Sequence, residues 1–262
     1  KQDDSTVPVR YRGYWYAVRY TTGQEYPIVV RRADEPNAPE AVLLDGNALA
    51  SGQPFFQLGG YEISPDNRLL AYTEDTVGRR QYRVRVKDLE SGTLLPDVIE
   101  NVDGSVAWAD DNRTLLYVEK DPVTLLGRRV RAHVLGRGGQ DALIYEEPDE
   151  SFDLAVERSK SECYLFIASE STTSSEWRYA RTDDPQLRFE VALPREEDHE
   201  HQIDHIDDRF LVRTNWRALN FRIVEVPVAA VADRKRWRDV VAHDPEVFVQ
   251  DFELFRTFLA VS

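Results

Sequence analysis

The sequence of 262 residues has no methionine and a single cysteine, Cys163. One thiol excludes an internal disulfide framework and any cysteine-rich zinc site, and it fits a reducing compartment. Because Cys163 leads into Tyr164-Leu165-Phe166-Ile167, it reads as a small buried apolar residue, not as a reactive thiolate. No apolar run is long enough to span a bilayer, and Lys1-Gln2-Asp3-Asp4-Ser5 lacks the apolar stretch of a signal peptide. A cytoplasmic protein with no membrane partner is expected. Positive charge is scarce too: 33 Lys and Arg stand against 47 Asp and Glu, for a net charge of −14. That balance speaks against a nucleic-acid partner, because phosphate contacts need clustered Lys and Arg. The missing initiator makes the chain read as a trimmed piece of something longer. Linkers rich in Pro, Gly and Ser are absent, so a single domain over 1–262 is expected.

Catalytic signatures are also missing. No glycines frame a serine as Gly-x-Ser-x-Gly, and no Gly-x-x-x-x-Gly-Lys phosphate loop occurs. Gly136-Arg137-Gly138-Gly139 lies between two strand-like stretches and reads as a tight turn. No catalytic residue and no cofactor is assigned.

What the sequence does contain is a repeat. Ser64-Pro65-Asp66-Asn67-Arg68-Leu69-Leu70-Ala71-Tyr72 resembles Ala109-Asp110-Asp111-Asn112-Arg113-Thr114-Leu115-Leu116-Tyr117, and Asn67 and Asn112 are 112 − 67 = 45 residues apart. Lys160 to Phe166, Asp207 to Val212 and Leu254 to Leu259 echo it. Within the clearest unit, Tyr61–Ser64, Leu69–Glu74, Tyr82–Lys87 and a stretch from Leu94 read as strands joined by turns. In Tyr82–Lys87, Tyr and Val alternate with Arg and Lys, the period of two of a half-buried strand. The first hairpin is read over Tyr14–Tyr20 and Glu25–Arg32, and a short helical turn is allowed within 228–240. Four strands in about 45 residues is the size of a β-propeller blade. The expected fold is therefore all-β, a β-propeller of four-stranded blades over 11–60, 61–105, 106–151, 152–202 and 203–248, with the start of a sixth at 249–262. Such a ring is incomplete in this polypeptide.

Two clusters invite chemistry. His199-Glu200-His201 with His205 has the look of a zinc site, but the plainer reading is a charged loop entering a strand, so no metal is assigned. The acidic pairs and the runs Glu146–Glu150 and Arg195–Glu200 read as solvated loops between blades. Tyr14, Trp15, Tyr16, Phe55 and Phe56 read as core, not as a carbohydrate platform.

An ordered set of runs resembles the propeller of the oligopeptidase B (protease II) group in the prolyl oligopeptidase family of serine peptidases. They are Thr22-Gly23-Gln24-Glu25-Tyr26-Pro27, Leu43 to Asn47, Ser64 to Asn67, Glu74 to Tyr82 and Lys87 to Gly92, followed by Asp121 to Leu126, Ile144 to Glu147, Thr173 to Glu176, Thr214-Asn215 and Asn220-Phe221. The resemblance covers nearly the whole chain. It implies a seven-bladed propeller capping an α/β-hydrolase domain that carries a Ser-Asp-His triad and cleaves short peptides after Arg or Lys. That domain would be the propeller's partner, and short basic peptides the substrates of the whole enzyme. No triad residue maps onto this sequence, so the chain alone should be inactive. The propeller would act as lid and size filter.

Loops between the second and third strands of each blade then become candidates for the domain interface or entrance. They hold Glu74, Asp75, Arg79 and Arg80; Glu119, Lys120 and Asp121; Glu170 and Glu176; and Asn215 and Arg217. The blander reading of each is a solvent-exposed loop charge. The alternative function is a stand-alone propeller that binds a peptide or protein.

Overall fold

The computed structural model describes residues 3–262. The chain divides into two compact units, one ending at Gly104 and one running from Ser105 to Ser262. In both, consecutive strands pair antiparallel in sequence order, as a meander.

In the first unit, Tyr14–Tyr20, Ile28–Ala33 and Glu40–Asp45 pair in turn, and the short strands Asp4–Ser5 and Val9–Tyr11 lie along the free edge of Tyr14–Tyr20. The second strand starts at Ile28, not at Glu25 as expected, because the amides of Glu25 and Tyr26 donate to the Asn47 side chain at 3.2 and 3.0 Å. Asn47 sits in an unforeseen one-turn helix, Gly46–Ala50, whose N-cap Asp45 accepts the amides of Asn47 and Ala48. A second sheet follows: Gln57–Ile63, Leu69–Asp75, Tyr82–Asp88 and Leu94–Trp108. In Tyr82–Asp88 the burial alternates as its sequence predicts, with Tyr82, Val84 and Val86 inside. The first strand bulges between Leu58 and Tyr61. Gly60 is needed there, because a Cβ would come 2.5 Å from the Gly104 carbonyl oxygen. Leu94–Trp108 is one strand of 15 residues, so the blade boundary expected at 105/106 falls inside it.

In the second unit, Thr114–Lys120, Gly127–Val134 and Ala142–Glu146 pair in turn. Two four-stranded sheets come next. One is Asp153–Arg158, Tyr164–Glu170, Ser175–Arg181 and Glu190–Leu193; the other is His201–Ile206, Arg209–Thr214, Arg222–Pro227 and Arg238–Val241. The hairpin Phe252–Leu254 and Leu259–Val261 ends the chain. The helical turn allowed within 228–240 appears as two 3-10 turns, Val228–Ala230 and Arg234–Arg236.

The repeat has a physical origin. Asn67, Asn112, Glu162 and Asp207 all have positive φ, between 54° and 65°, in the turn between first and second strands. Asn and Asp tolerate this left-handed conformation best among non-glycine residues, so the turn recurs as a sequence signature. The second strands read as continuous apolar runs because both of their faces are covered. Leu165 and Ile167 pack with Leu116, Val118 and Val130 of the preceding sheet. Phe166 and Ala168 pack the other way, with Ile203, Phe210 and Val212 of the following sheet. Leu211 in turn meets Phe252 and Leu254. Cys163, expected inside such a strand, precedes it and is exposed, since the strand starts at Tyr164. Phe56 is core as expected, whereas Phe55 is 39% exposed.

Candidate functional site

In a four-stranded meander, the loop joining the second and third strands and the connection to the next sheet leave from the same end. The candidate residues therefore lie at that end of their own sheets. Most are already engaged by the fold.

In the first unit, Glu74 and Asp75 are the last two residues of Leu69–Asp75, not loop residues, and both are buried. Glu74 pairs with the Arg83 Nε at 2.8 Å. Asp75 accepts the amides of Val77, Gly78 and Arg80 at 2.8, 3.0 and 2.8 Å, and so shapes the loop that follows. That loop presents Arg79 and Arg80 to solvent.

In the second unit, Glu119 pairs with Arg131 at 2.6 Å and Arg129 at 3.6 Å. Lys120 is buried, and Asp121 accepts the amides of Val123 and Thr124. Glu170 is exposed at the end of its strand. Glu176 pairs with Arg178 at 2.5 Å and accepts the Arg195 amide at 3.2 Å.

That last contact leads to a correction. The runs Glu146–Glu150 and Arg195–Glu200 are not simply solvated loops. Glu147 is 0% exposed. It receives the Arg195 guanidinium at 2.7 and 3.3 Å, the Tyr145 hydroxyl at 2.9 Å, the Asp149 amide at 3.0 Å and the Ser169 hydroxyl. The Arg195 guanidinium carbon lies over the Phe152 ring, 3.4 Å from its centre. Burial by itself would raise the Glu147 pKa, but these donors outweigh it and hold the carboxyl below its ordinary value. The two runs together form an ion pair, with a buried carboxylate and a partly exposed guanidinium, that ties successive sheet connections.

The histidines do not gather round a metal: among the described residues no group of three His, Cys, Asp or Glu side chains is placed to hold one. His199 and His201 share a strand-entry face, rings 4.7 Å apart, and both are buried. His199 faces the Thr214 hydroxyl at 2.9 Å and Arg234 at 3.3 Å; His201 faces the Ser175 hydroxyl at 3.1 Å. Burial, with His199 and Arg234 adding to it, pushes the His201 pKa down to about 3. Burial also lowers His199 and His205. His205 bonds Ser161 at 2.7 Å and meets Tyr164 edge-on.

Asn215 also holds structure, accepting the Glu200 amide at 3.0 Å and donating to the Asp198 carbonyl at 3.1 Å. Beyond it, Trp216 is half-buried, whereas Arg217 and Leu219 face outward. Arg217 is exposed and lies over Trp216 at 4.5 Å, and Trp216 meets Trp237 edge-on at 5.7 Å. In the sequence, Glu147 and Arg195 are only members of two runs that read as solvated, and nothing marks Trp216 or Leu219; both runs are mainly acidic, and the one available signal was the lone arginine at the head of the second. At the opposite end of its sheet, Tyr164, Tyr179, Arg181, Asp184, Arg188 and Glu190 line a cavity of about 370 Å³, apart from the candidate residues.

Comparison with known proteins gives this arrangement a context. Residues 1–262 match the family described as prolyl oligopeptidase, N-terminal beta-propeller domain. The chain is 49% identical over 279 residues to dipeptidyl aminopeptidase BI of Pseudoxanthomonas mexicana, covering 100% of this chain and 38% of that protein. It is 30% identical over 267 residues to protease 2 of Moraxella lacunata, covering 98% of this chain and 38% of that protein. The structure of oligopeptidase B from Trypanosoma brucei with covalently bound antipain, closed form, superposes with a TM-score of 0.87 at 25% identity, covering 100% of this chain and 37% of that one. These relatives support the peptidase family without singling out oligopeptidase B. The four-stranded sheets are propeller blades, and the chain, which spans less than two fifths of the length of these relatives, belongs to the prolyl oligopeptidase N-terminal β-propeller family.

Proposed function

We infer that this chain is the non-catalytic propeller of a prolyl oligopeptidase-family serine peptidase, covering the active site of a hydrolase domain in the same polypeptide and admitting only short peptides. The observation that carries the reading is 49% identity to a dipeptidyl aminopeptidase over the whole chain. It favours release of dipeptides from a free amino terminus over the internal cleavage after Arg or Lys implied by oligopeptidase B. The second reading keeps support from the match to protease 2 and from the −14 charge, which suits basic peptides. A stand-alone binding propeller is not favoured, because the relatives quoted are peptidases that extend well beyond the matched region.

Of the residues first considered for the interface or entrance, Arg79, Arg80 and Arg217 are exposed and remain the best placed. Glu74, Asp75, Glu119, Glu176 and Asn215 would contribute mainly by holding loop shape.

The test uses the full-length protein with paired chromogenic peptides, one with a free amino terminus and one acetylated, each ending in Arg. The dipeptidyl reading expects the free peptide to be cleaved at least tenfold faster. Equal cleavage supports the oligopeptidase B reading, and hydrolysis of neither overturns both. The isolated chain is expected to hydrolyse neither.

A further inference from the structure

The cavity of about 370 Å³ at the end opposite the candidate loops has no part in the function proposed above. One sheet builds its wall. Tyr164 opens the second strand, Tyr179 and Arg181 close the third, Glu190 opens the fourth, and Asp184 and Arg188 lie in the connection between the last two. The phenol rings of Tyr164 and Tyr179 meet edge-on, 5.7 Å apart, and form a corner. Phe210 of the next sheet backs both rings, at 5.6 and 5.1 Å, and His205 backs Tyr164 at 4.6 Å. The core thus fixes the corner before any ligand arrives, which lowers the ordering cost of binding. Its volume falls within the range of small-molecule sites, roughly 300–1,000 Å³.

The charges around the corner do not cancel. Asp183 holds the Arg181 guanidinium through two bonds of 2.8 and 2.9 Å, and Asp184 holds Arg188 at 2.9 Å. Asp184 also accepts the amides of Gln186 and Arg188. Glu190 is different. Among the described residues it has no ion pair, and its side chain receives one long hydrogen bond, from the Tyr179 hydroxyl at 3.3 Å. Tyr179 stays neutral, since burial, with Glu190 beside it, pushes its pKa up to about 12. The lining therefore carries one unmatched carboxylate next to two aromatic rings. That combination selects a cation with an apolar body: the rings attract positive charge through their quadrupole, the carboxylate takes N–H donors, and the apolar body fills the corner. An anion would be repelled by Glu190, and a bare metal ion would find no group of three ligands among the described residues.

We propose that this cavity binds a small primary ammonium ion carried on an apolar body, with Glu190 as its counter-ion and Tyr164 and Tyr179 as its walls. A free amine and the lysine side chain of a peptide present the same group. The proposal goes beyond the peptidase reading and does not depend on it.

The test is isothermal titration of the full-length protein with phenethylamine, and with acetyl-lysinamide for the peptide source. Saturable binding of at least one of the two is expected, and none of 2-phenylethanol, which has the body of phenethylamine without its charge. Glu190→Gln is expected to weaken that binding about tenfold at unchanged Tm, because it keeps the shape of the side chain and removes the charge. Glu190→Asp, which keeps the charge, should stay within about threefold of the parent. Dependence on Glu190 assigns the binding to this cavity and not to another part of the polypeptide. Phenethylamine binding alone points to a free amine as the occupant, and acetyl-lysinamide binding with the same dependence points to a peptide side chain. Binding of neither compound, or binding that Glu190→Gln leaves unchanged, overturns the proposal. Loss of peptidase activity plays no part in the readout, so failure here and failure of the peptidase reading are separate results.

Discussion

Glu147 is a carboxylate with no exposed surface whose charge is met by Arg195, 48 residues further on, and by hydroxyl and amide donors from several directions. Removing one partner of a buried pair costs more than the pair contributes, because the other charge stays behind without compensation. Arg195→Ala, which leaves the Glu147 carboxylate buried without its cation, is therefore expected to lower unfolding stability by roughly 3 kcal/mol, from the usual cost of orphaning a buried charge. Urea denaturation of the full-length protein checks this, and a change below about 1 kcal/mol would show that solvent reaches Glu147 and takes over the role of Arg195.

At the scale of an element, the strand His201–Ile206 and the connection leading into it carry three buried imidazoles. The folded-state pKa of His201 is pushed down to about 3, and those of His199 and His205 are lowered as well. An unfolded histidine titrates near 6.5. Between those limits the unfolded chain binds more protons than the folded one, so stability must fall as pH drops below about 6.5. Glu147 adds in the same direction lower down: its folded pKa is depressed, so its stabilisation is lost as the carboxyl protonates in acid. The expected outcome is a Tm that declines steadily from pH 7 to pH 5. His201→Gln, which cannot gain that proton, should flatten the decline; an unchanged slope would mean that this imidazole is not neutral in the fold. The same strand shows what the sequence does and does not carry. His199-Glu200-His201 has the spacing of metal ligands, but whether ligands converge depends on what packs around them: here the Ser175 hydroxyl of the preceding sheet, the Thr214 hydroxyl of the paired strand and Arg234 of a 3-10 turn.

For the whole molecule, the −14 charge is a sum over residues spread along the sequence, not a property of one site. It creates a long-range field that attracts cationic peptides and is screened by salt, since the Debye length shrinks from about 30 Å at 0.01 M to about 8 Å at 0.15 M. In the full-length protein, kcat/KM for a doubly cationic peptide is expected to fall severalfold over that range, while a neutral peptide of the same length is unaffected. Equal responses would show that the charge serves solubility and not recruitment.

The sequence by itself determined the repeating element. Turn residues that accept positive φ recur at Asn67, Asn112 and Asp207, and strands covered on both faces must be apolar throughout, so four-stranded units were legible from local chemistry. It also carried the family, through ordered runs spread along the chain. It did not determine which charges pair. Acidic residues are too numerous for any one to stand out, and selecting Arg195 as the partner of Glu147 requires two sheet connections to be brought together by the stacking of sheets on their apolar faces. The same holds for Leu219, which looks like one more core leucine in the sequence. Only the loop stitched down by Asn220 turns it outward, because side-chain direction in a turn is fixed by backbone conformation and by distant hydrogen bonds, not by residue type.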